Sequence, residues 1–358
     1  MEFGFCYLCD YHPEVHGDYQ SWYRRLLTEW ELADSLGFDA IWIAEHRYPG
    51  YGFSSTPVVA QALADHTTNV KIGTAVALIS QRHPILAAED WAAVDLLSGG
   101  RLRFGIGRGI YAYDFEVMGI PSGESRERFE EAWEVISKLW SQEEASHSGK
   151  HWQFENHRLG PQPLQQPLPP VYVGCVASPE SYIWAGENGF NVMVAPFLLD
   201  STERQREYLD LYRSTLEKNG FDLARHQVIA NYHLALFTDE AARENADQYF
   251  FNYLKFLHTS NRAASLDAEG YSHYRPGTGI YNDVQEMRRS RTVIGNTQEC
   301  IDKIGELAEA CGLSGWMFHI NYGGQPHERV VEQMHLLRSD IVPVFNPAKS
   351  AAAVGGGA

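Results

Sequence analysis

Short apolar runs bounded by turn residues recur eight times along this chain, and between them lie segments with apolar residues at helical spacing. No other feature narrows the possible folds as far. The runs are Phe3–Cys9, Ala40–His46, Val70–Ile79, Leu102–Ile106, Val171–Val176, Asn191–Phe197, His226–Phe237 and Trp316–Asn321. The helical segments carry their own punctuation. Ser21–Leu36 is closed by Gly37, and Ile85, Ala88, Ala92 and Leu96 share a face that stops at Ser98-Gly99-Gly100. Phe129, Trp133, Ile136 and Trp140 mark a helix over Ser125–Trp140, and Asn296-x-x-Glu299 has the form of a capping box for a helix reaching Cys311-Gly312. Eight strands alternating with helices predict an α/β fold, the (β/α)8 barrel.

A bare barrel takes roughly 250 residues, and two excursions take up the surplus of a 358-residue chain. His147–Pro170 is proline-rich and can hold a hairpin. His258–Arg291 is polar, aperiodic and long, which in a compact domain marks a functional or disordered segment. Residues 1–347 are expected to form one domain, and 348–358 a tail outside it.

A net charge of −17 argues against nucleic acid or an anionic membrane as the main partner. No run approaches the ~18 apolar residues of a membrane span, and the opening Met1-Glu2-Phe3 lacks a basic, then apolar, leader. The expected location is cytoplasmic. Five cysteines with no paired framework fit a reducing compartment. Cys6-x-x-Cys9 resembles a redox or zinc pair, but residues three apart on a strand face opposite ways. His12-Pro-Glu-Val-His16 misplaces the glutamate of a zinc motif and reads as a loop. No metal site is expected.

Barrel active sites lie at the C-terminal ends of the strands. At the end of the fourth run, Gly107 and Gly109 bracket Arg108, giving a close-approach turn with a planar fork of donors suited to phosphate. A solvated arginine at a strand end would read the same alone. After the fifth run, Ser178 reads as an N-cap and Pro179 as the first helical residue, placing helix N–H groups and the hydroxyls of Ser178 and Ser181 nearby. A basic turn and a capped helix after neighbouring strands together suit an anion. His46 follows the second run beside Glu45, and can serve as proton donor, base or ligand orienter, or be structural. No Ser-His-Asp arrangement is readable. Phe5, Tyr7, Tyr48, Phe53 and Tyr111 suggest a hydrophobic pocket or core.

The stretch Gly105–Gly119, GIGRGIYAYDFEVMG, resembles the α subunit of bacterial luciferase, and IWIAEH, IGTAVALISQRHPILAAED, VYVGCVASPES and IGNTQECIDKI follow the family's order. The resemblance runs from the first strand to about Val344 and identifies the chain as a member of the luciferase-like flavin-dependent monooxygenases. It implies an FMN phosphate held by Arg108, Arg126, Ser178 and Ser181. The turn after the fifth strand carries one extra residue, so Ala177 stands beside Ser178 as the alternative match. His46 matches the family's catalytic histidine, Tyr111 belongs to the G-R-G-x-Y turn that favours FMN, and Ala75-Val76 falls where the family often has a cis peptide under the flavin. The segment 258–291 matches its mobile loop. This chain has Gly107 where the family has a reactive cysteine, and His46-Arg47 where luciferase has a histidine pair.

The implied function is a two-component monooxygenase. Reduced FMN (FMNH2) from a separate flavin reductase would react with O2 to a flavin C4a-hydroperoxide, which passes one oxygen atom to a small organic substrate. A homodimer is implied as well. An F420-dependent hydride-transfer dehydrogenase of the same superfamily and a non-catalytic flavin-binding partner subunit are the alternatives.

Overall fold

The computed structural model describes residues 1–199, 201–262 and 284–347. Eleven strands appear among them, in chain order: β1 Glu2–Tyr7, β2 Ala40–Ile43, β3 Lys71–Thr74, β4 Leu102–Ile106, β5 Ala145–Ser148, β6 Gln153–His157, β7 Val171–Cys175, β8 Asn191–Val194, β9 Val228–Leu236, β10 Thr292–Gly295 and β11 Gly315–His319. Eight close a parallel barrel in the order β1-β2-β3-β4-β7-β8-β9-β11, and β11 pairs back onto β1 with Phe3 beside Trp316. The expected (β/α)8 barrel is the fold. β5 and β6 form the hairpin of the proline-rich excursion.

Apart from β4, the barrel strands are shorter than the apolar runs. The second and third runs leave the sheet after Ile43 and Thr74, and the remainder of each becomes loop at the barrel mouth. β10 was not anticipated. It pairs with the upper half of β9, Thr292 beside His233 to Gly295 beside Leu236, above the point where β8 stops. The helix after β9 runs Glu240–Arg262, past His258, and Val284–Arg291 is also helical. Both ends of the segment expected as an aperiodic lid are therefore helix, and its middle, 263–283, lies outside the described residues.

Side-chain alternation sorts the barrel into two cores. Phe3, Phe5 and Tyr7 point outward from β1 against helices, where they meet Trp22, Leu26, Trp30 and Ala33 from one face of the helix Tyr19–Ser35. Each such fully buried large chain contributes about 1.5–3 kcal/mol. Inward-facing Cys6, Trp42, Tyr172, Met193, Ile229 and Met317 fill the lumen. At its N-terminal end Arg103 forms a two-pronged pair with Glu2 (2.6 and 2.9 Å) and lies over Tyr172. The floor is thus closed, and the mouth is left for a ligand. The capping box at Asn296 and Glu299 forms with both reciprocal bonds. The expected His12–His16 loop contains a single helical turn, Pro13–His16, and His16 stacks on Trp22.

Candidate functional site

A cleft partly open to solvent lies at the C-terminal ends of the strands. His46, Ala75, Val76, Arg108, Tyr111, Ala177, Ser178 and Ser181 all line it. Arg126 lines an adjoining pocket shared with Arg108 and Ser181. Sequence positions spread over more than a hundred residues are thus brought together by the barrel.

One wall is built from close backbone approach. The Ala75–Val76 peptide is cis. Thr74 donates its hydroxyl to the Gly105 carbonyl (2.6 Å) and accepts the Gly105 N–H (2.9 Å), fixing β3 to β4 where their regular pairing ends. A Cβ on Gly107 would lie 2.4 Å from Val76 Cγ2, and one on Gly174 2.8 Å from Val76 Cγ1. The glycine at 107 is therefore set by the packing of Val76, not only by turn geometry. Gly109 sits at φ +88°, which glycine accepts without strain.

The anion-suited end differs from expectation in one detail. Ser178 is the N-cap residue and Pro179 follows it, but the Ser178 hydroxyl makes no capping bond. It accepts from Arg126 Nη2 (3.0 Å) and donates to the Glu180 carboxylate (2.5 Å), which is itself 3.7 Å from Arg126 Nη2. That hydrogen bond is the foremost cause holding the Glu180 carboxyl below its usual range. Burial lowers the Arg126 pKa, and the neighbouring Arg108 charge adds to the effect. Two guanidinium groups kept close together are a poor arrangement without an anion and a good one with it.

At His46 the expected carboxylate is the wrong one. Glu45 turns away to Arg47 Nη2 (2.6 Å), the Thr56 hydroxyl (3.1 Å) and the Leu78 N–H (3.2 Å). Asp114, from the short helix Ala112–Val117, stands 3.7 Å from His46 Nδ1 and accepts the Arg47 N–H through its other oxygen (2.8 Å). The His46 ring packs 4.4 Å from Tyr51 and 4.8 Å from Tyr111, whose hydroxyls meet at 2.9 Å. Asp114, Tyr51 and Glu180 were missed by sequence reasoning. Only Asp114 had a usable signal, three residues beyond Tyr111 on a helical turn.

The remaining walls are mostly apolar, with Leu8, Met193, Phe197, Leu198 and Met317 beside the single amide of Asn231. Of the five aromatics read as pocket or core, Tyr111 alone lines the cleft. Phe5, Tyr7 and Phe53 belong to the outer core, because strand alternation turns the β1 pair toward the helices, and Tyr48 packs on the cluster around Tyr51 and Tyr111. Cys6 does line the cleft, with burial pushing its thiol up to about 12, while Cys9 packs into the outer core, so the two cysteines face apart.

The family model of the luciferase-like monooxygenases matches residues 1–314. The chain belongs to this family. The monooxygenase is 30% identical over 342 residues to the oxygenase component of a flavin-dependent trigonelline monooxygenase from Acinetobacter baylyi, covering 91% of each chain. Its fold matches the crystal structure of monooxygenase RslO1 from Streptomyces bottropensis with a TM-score of 0.85 and 26% identity, covering 96% of this chain and 100% of that one. The oxygenating constituent of 3,6-diketocamphane monooxygenase from Pseudomonas putida, solved with FMN, shares the fold at a TM-score of 0.79 and 18% identity, covering 96% and 98%.

Proposed function

We propose that this flavin-dependent monooxygenase is the oxygenase component of a two-component system, taking reduced FMN from a separate flavin reductase and using O2 to oxygenate a small organic substrate. The observation that carries the reading is the convergence of Arg108, Arg126, Ser178 and Ser181 at one end of a cleft that also holds His46. The donor set suits a phosphate, and the surface made by Gly107, Gly174 and Val76, which a Cβ would disrupt, suits a flat ring. Arg108 and Arg126 would neutralise the phosphate, and Ser178, with Ala177 beside it, and Ser181 would bond it at the start of the helix Pro179–Glu187. Ala75 and Val76 would support the ring, and Tyr111 would close the side toward His46.

Reduced FMN, when bound, supplies the electrons with which O2 is reduced as one oxygen atom passes to the substrate. The chain's own part is to bind, exclude water and manage a proton. Apolar residues around the cleft exclude water from the reacting groups. His46 Nδ1 is buried toward Asp114, which leaves Nε2 as the nitrogen that gives or takes a proton in the cleft. We further propose a single domain over 1–347, a cytoplasmic location and a homodimer; among the described residues no helix is long and apolar enough to cross a membrane.

Anaerobic titration with reduced FMN and reduced riboflavin tests the reading. Arg108→Ala is expected to weaken FMN binding about 10- to 100-fold, the loss of one charged hydrogen-bonding group, and to leave riboflavin binding nearly unchanged. Equal effects on both ligands, or no binding of FMN by the wild type, would overturn it.

A further inference from the structure

His46 and Asp114 account for one group of buried polar atoms without partners at the barrel mouth. A second group has no role in the chemistry above. It comprises Asn231 Oδ1, both ring nitrogens of His233, both ring nitrogens of His319 and the Tyr322 hydroxyl. His233 and His319 are register partners on adjacent strands β9 and β11, with ring centroids 4.9 Å apart and no exposure to solvent. Asn231 and His233 share a face of β9, as Met317 and His319 share a face of β11, because strand side chains alternate. Asn231 and Met317 line the cleft; the histidines lie nearer the mouth on the same two faces, but they are fully covered and do not line it. Phe197 and Tyr253, which also line the cleft, contact the His233 ring at 4.9 and 4.6 Å.

Both imidazoles are held neutral. Burial pushes His319 down to about 4, and burial followed by the His319 neighbour pushes His233 well below the usual histidine range. Asp10, and then a hydrogen bond to the Asn321 backbone, favour the charged form of His319 but do not prevail; the Asp10 Oδ2 is bonded to His12 Nε2 (2.8 Å) and the Gly323 N–H (2.7 Å). Each neutral ring offers one N–H donor and one lone-pair acceptor. Buried groups of this kind are almost always satisfied, and the His233 ring, with neither nitrogen partnered, beside a His319 ring whose one polar neighbour is the Asn321 backbone, calls for a ligand.

We propose that His233 and His319 read the substrate: as the Phe197 and Tyr253 rings packed on His233 shift aside, the two imidazoles receive the uncharged hydroxyl or carbonyl end of a planar aromatic molecule whose ring then lies against Phe197 and Tyr253. This rests on the monooxygenase reading of the cleft. A hydroxyl can donate to one neutral ring and accept from the other, a carbonyl can accept the N–H of either, and the aromatic edges around them match a flat ring. A charged end would give up its hydration to face two neutral imidazoles.

The test is titration of the whole protein, labelled with 15N in its histidine rings, with three probes of one shape: 4-hydroxyacetophenone, its apolar analogue 4-ethyltoluene, and anionic 4-acetylbenzoate. His233→Phe and His319→Phe assign the signals. The expected result is a saturable shift of both histidines' ring nitrogens with 4-hydroxyacetophenone and none with 4-ethyltoluene, with 4-acetylbenzoate weaker. Each Phe variant should lose about tenfold or more in affinity for 4-hydroxyacetophenone while binding reduced FMN as before. His319→Gln, which keeps a donor and an acceptor, should retain most of the affinity. Nitrogens that no probe moves, as expected if buried water fills their valences, or that the apolar probe moves equally, would overturn the proposal. The wild-type titration requires no variant to fold. Failure of the wild type to bind reduced FMN would instead strike the flavin reading.

Discussion

Asp114 Oδ2 stands 3.7 Å from His46 Nδ1, and neither atom has a hydrogen-bond partner. At that separation the pair is not yet a hydrogen bond, but hydrogen bonds of this kind often tighten once ligands bind. Replacing His46 by Gln should cut turnover by about 10^2–10^4-fold, the usual share of positioned acid–base catalysis, and leave reduced-FMN affinity within about twofold. Asp114→Asn should cost less, because it removes an orienting partner while the imidazole stays. Steady-state rates with a flavin reductase, beside anaerobic FMN titration, separate the two effects. Unchanged turnover in His46→Gln would take the residue out of the chemistry.

Glu180 already occupies two of the donors proposed for the phosphate, Ser178 and Arg126. Its negative charge opposes an incoming phosphate, although solvent screens a side chain that is 62% exposed. Glu180→Gln should therefore tighten reduced FMN by a few-fold and leave riboflavin unaffected. Calorimetry of both ligands checks this, and parallel changes would assign Glu180 a purely structural part.

Gly107 shows how function and packing meet at one position. An added methyl would lie 2.4 Å from Val76 Cγ2, so Gly107→Ala must displace Val76 or the turn. Overpacking of this kind costs about 1–3 kcal/mol, and flavin affinity should fall with it. A thermal melt and an FMN titration on the same sample would detect both. An alanine variant with wild-type stability and affinity would mean that Val76 moves freely.

A pH effect on stability should come from the opposite side of the sheet. The hydrogen bond that His327 Nδ1 donates to Glu29 Oε1 (2.9 Å) raises the His327 pKa above its usual value. A raised histidine pKa favours the folded state while the ring is charged. That stability is full below the ordinary value of about 6.5 and is lost as pH rises through the raised one. His327→Asn should destabilise by about 1.5–3 kcal/mol at the acidic side of this window, with the gap to wild type closing above it. Denaturant melts across the window would show a constant gap if the bond were neutral.

What could be read from the sequence was what local chemistry encodes. Gly107-Arg108-Gly109, Ser178-Pro179 and the Asn296 capping box are short patterns whose geometry follows from adjacent residues, and all lie as expected apart from the Ser178 hydroxyl. Long-range pairings were not legible. Glu45 adjoins His46 in sequence but turns to Arg47, whereas Asp114 arrives from another strand's loop. Phe5 and Tyr7 could be read as pocket or as core, because an apolar run does not reveal which alternate face is the lumen, and the structure places them in the core. β10 was missed because four residues carry no periodicity, and its pairing depends on β9 outlasting β8.

The most direct measurement is stopped-flow: reduced FMN is bound anaerobically to the protein, then mixed with oxygenated buffer while the visible absorbance of oxidised flavin is followed. A cleft that holds reduced FMN by its phosphate and excludes water should delay the return of oxidised flavin relative to free reduced FMN, and Arg108→Ala should abolish the delay. Reoxidation at the free rate, with reduced FMN demonstrably bound to the wild type, would contradict a monooxygenase role for this cleft.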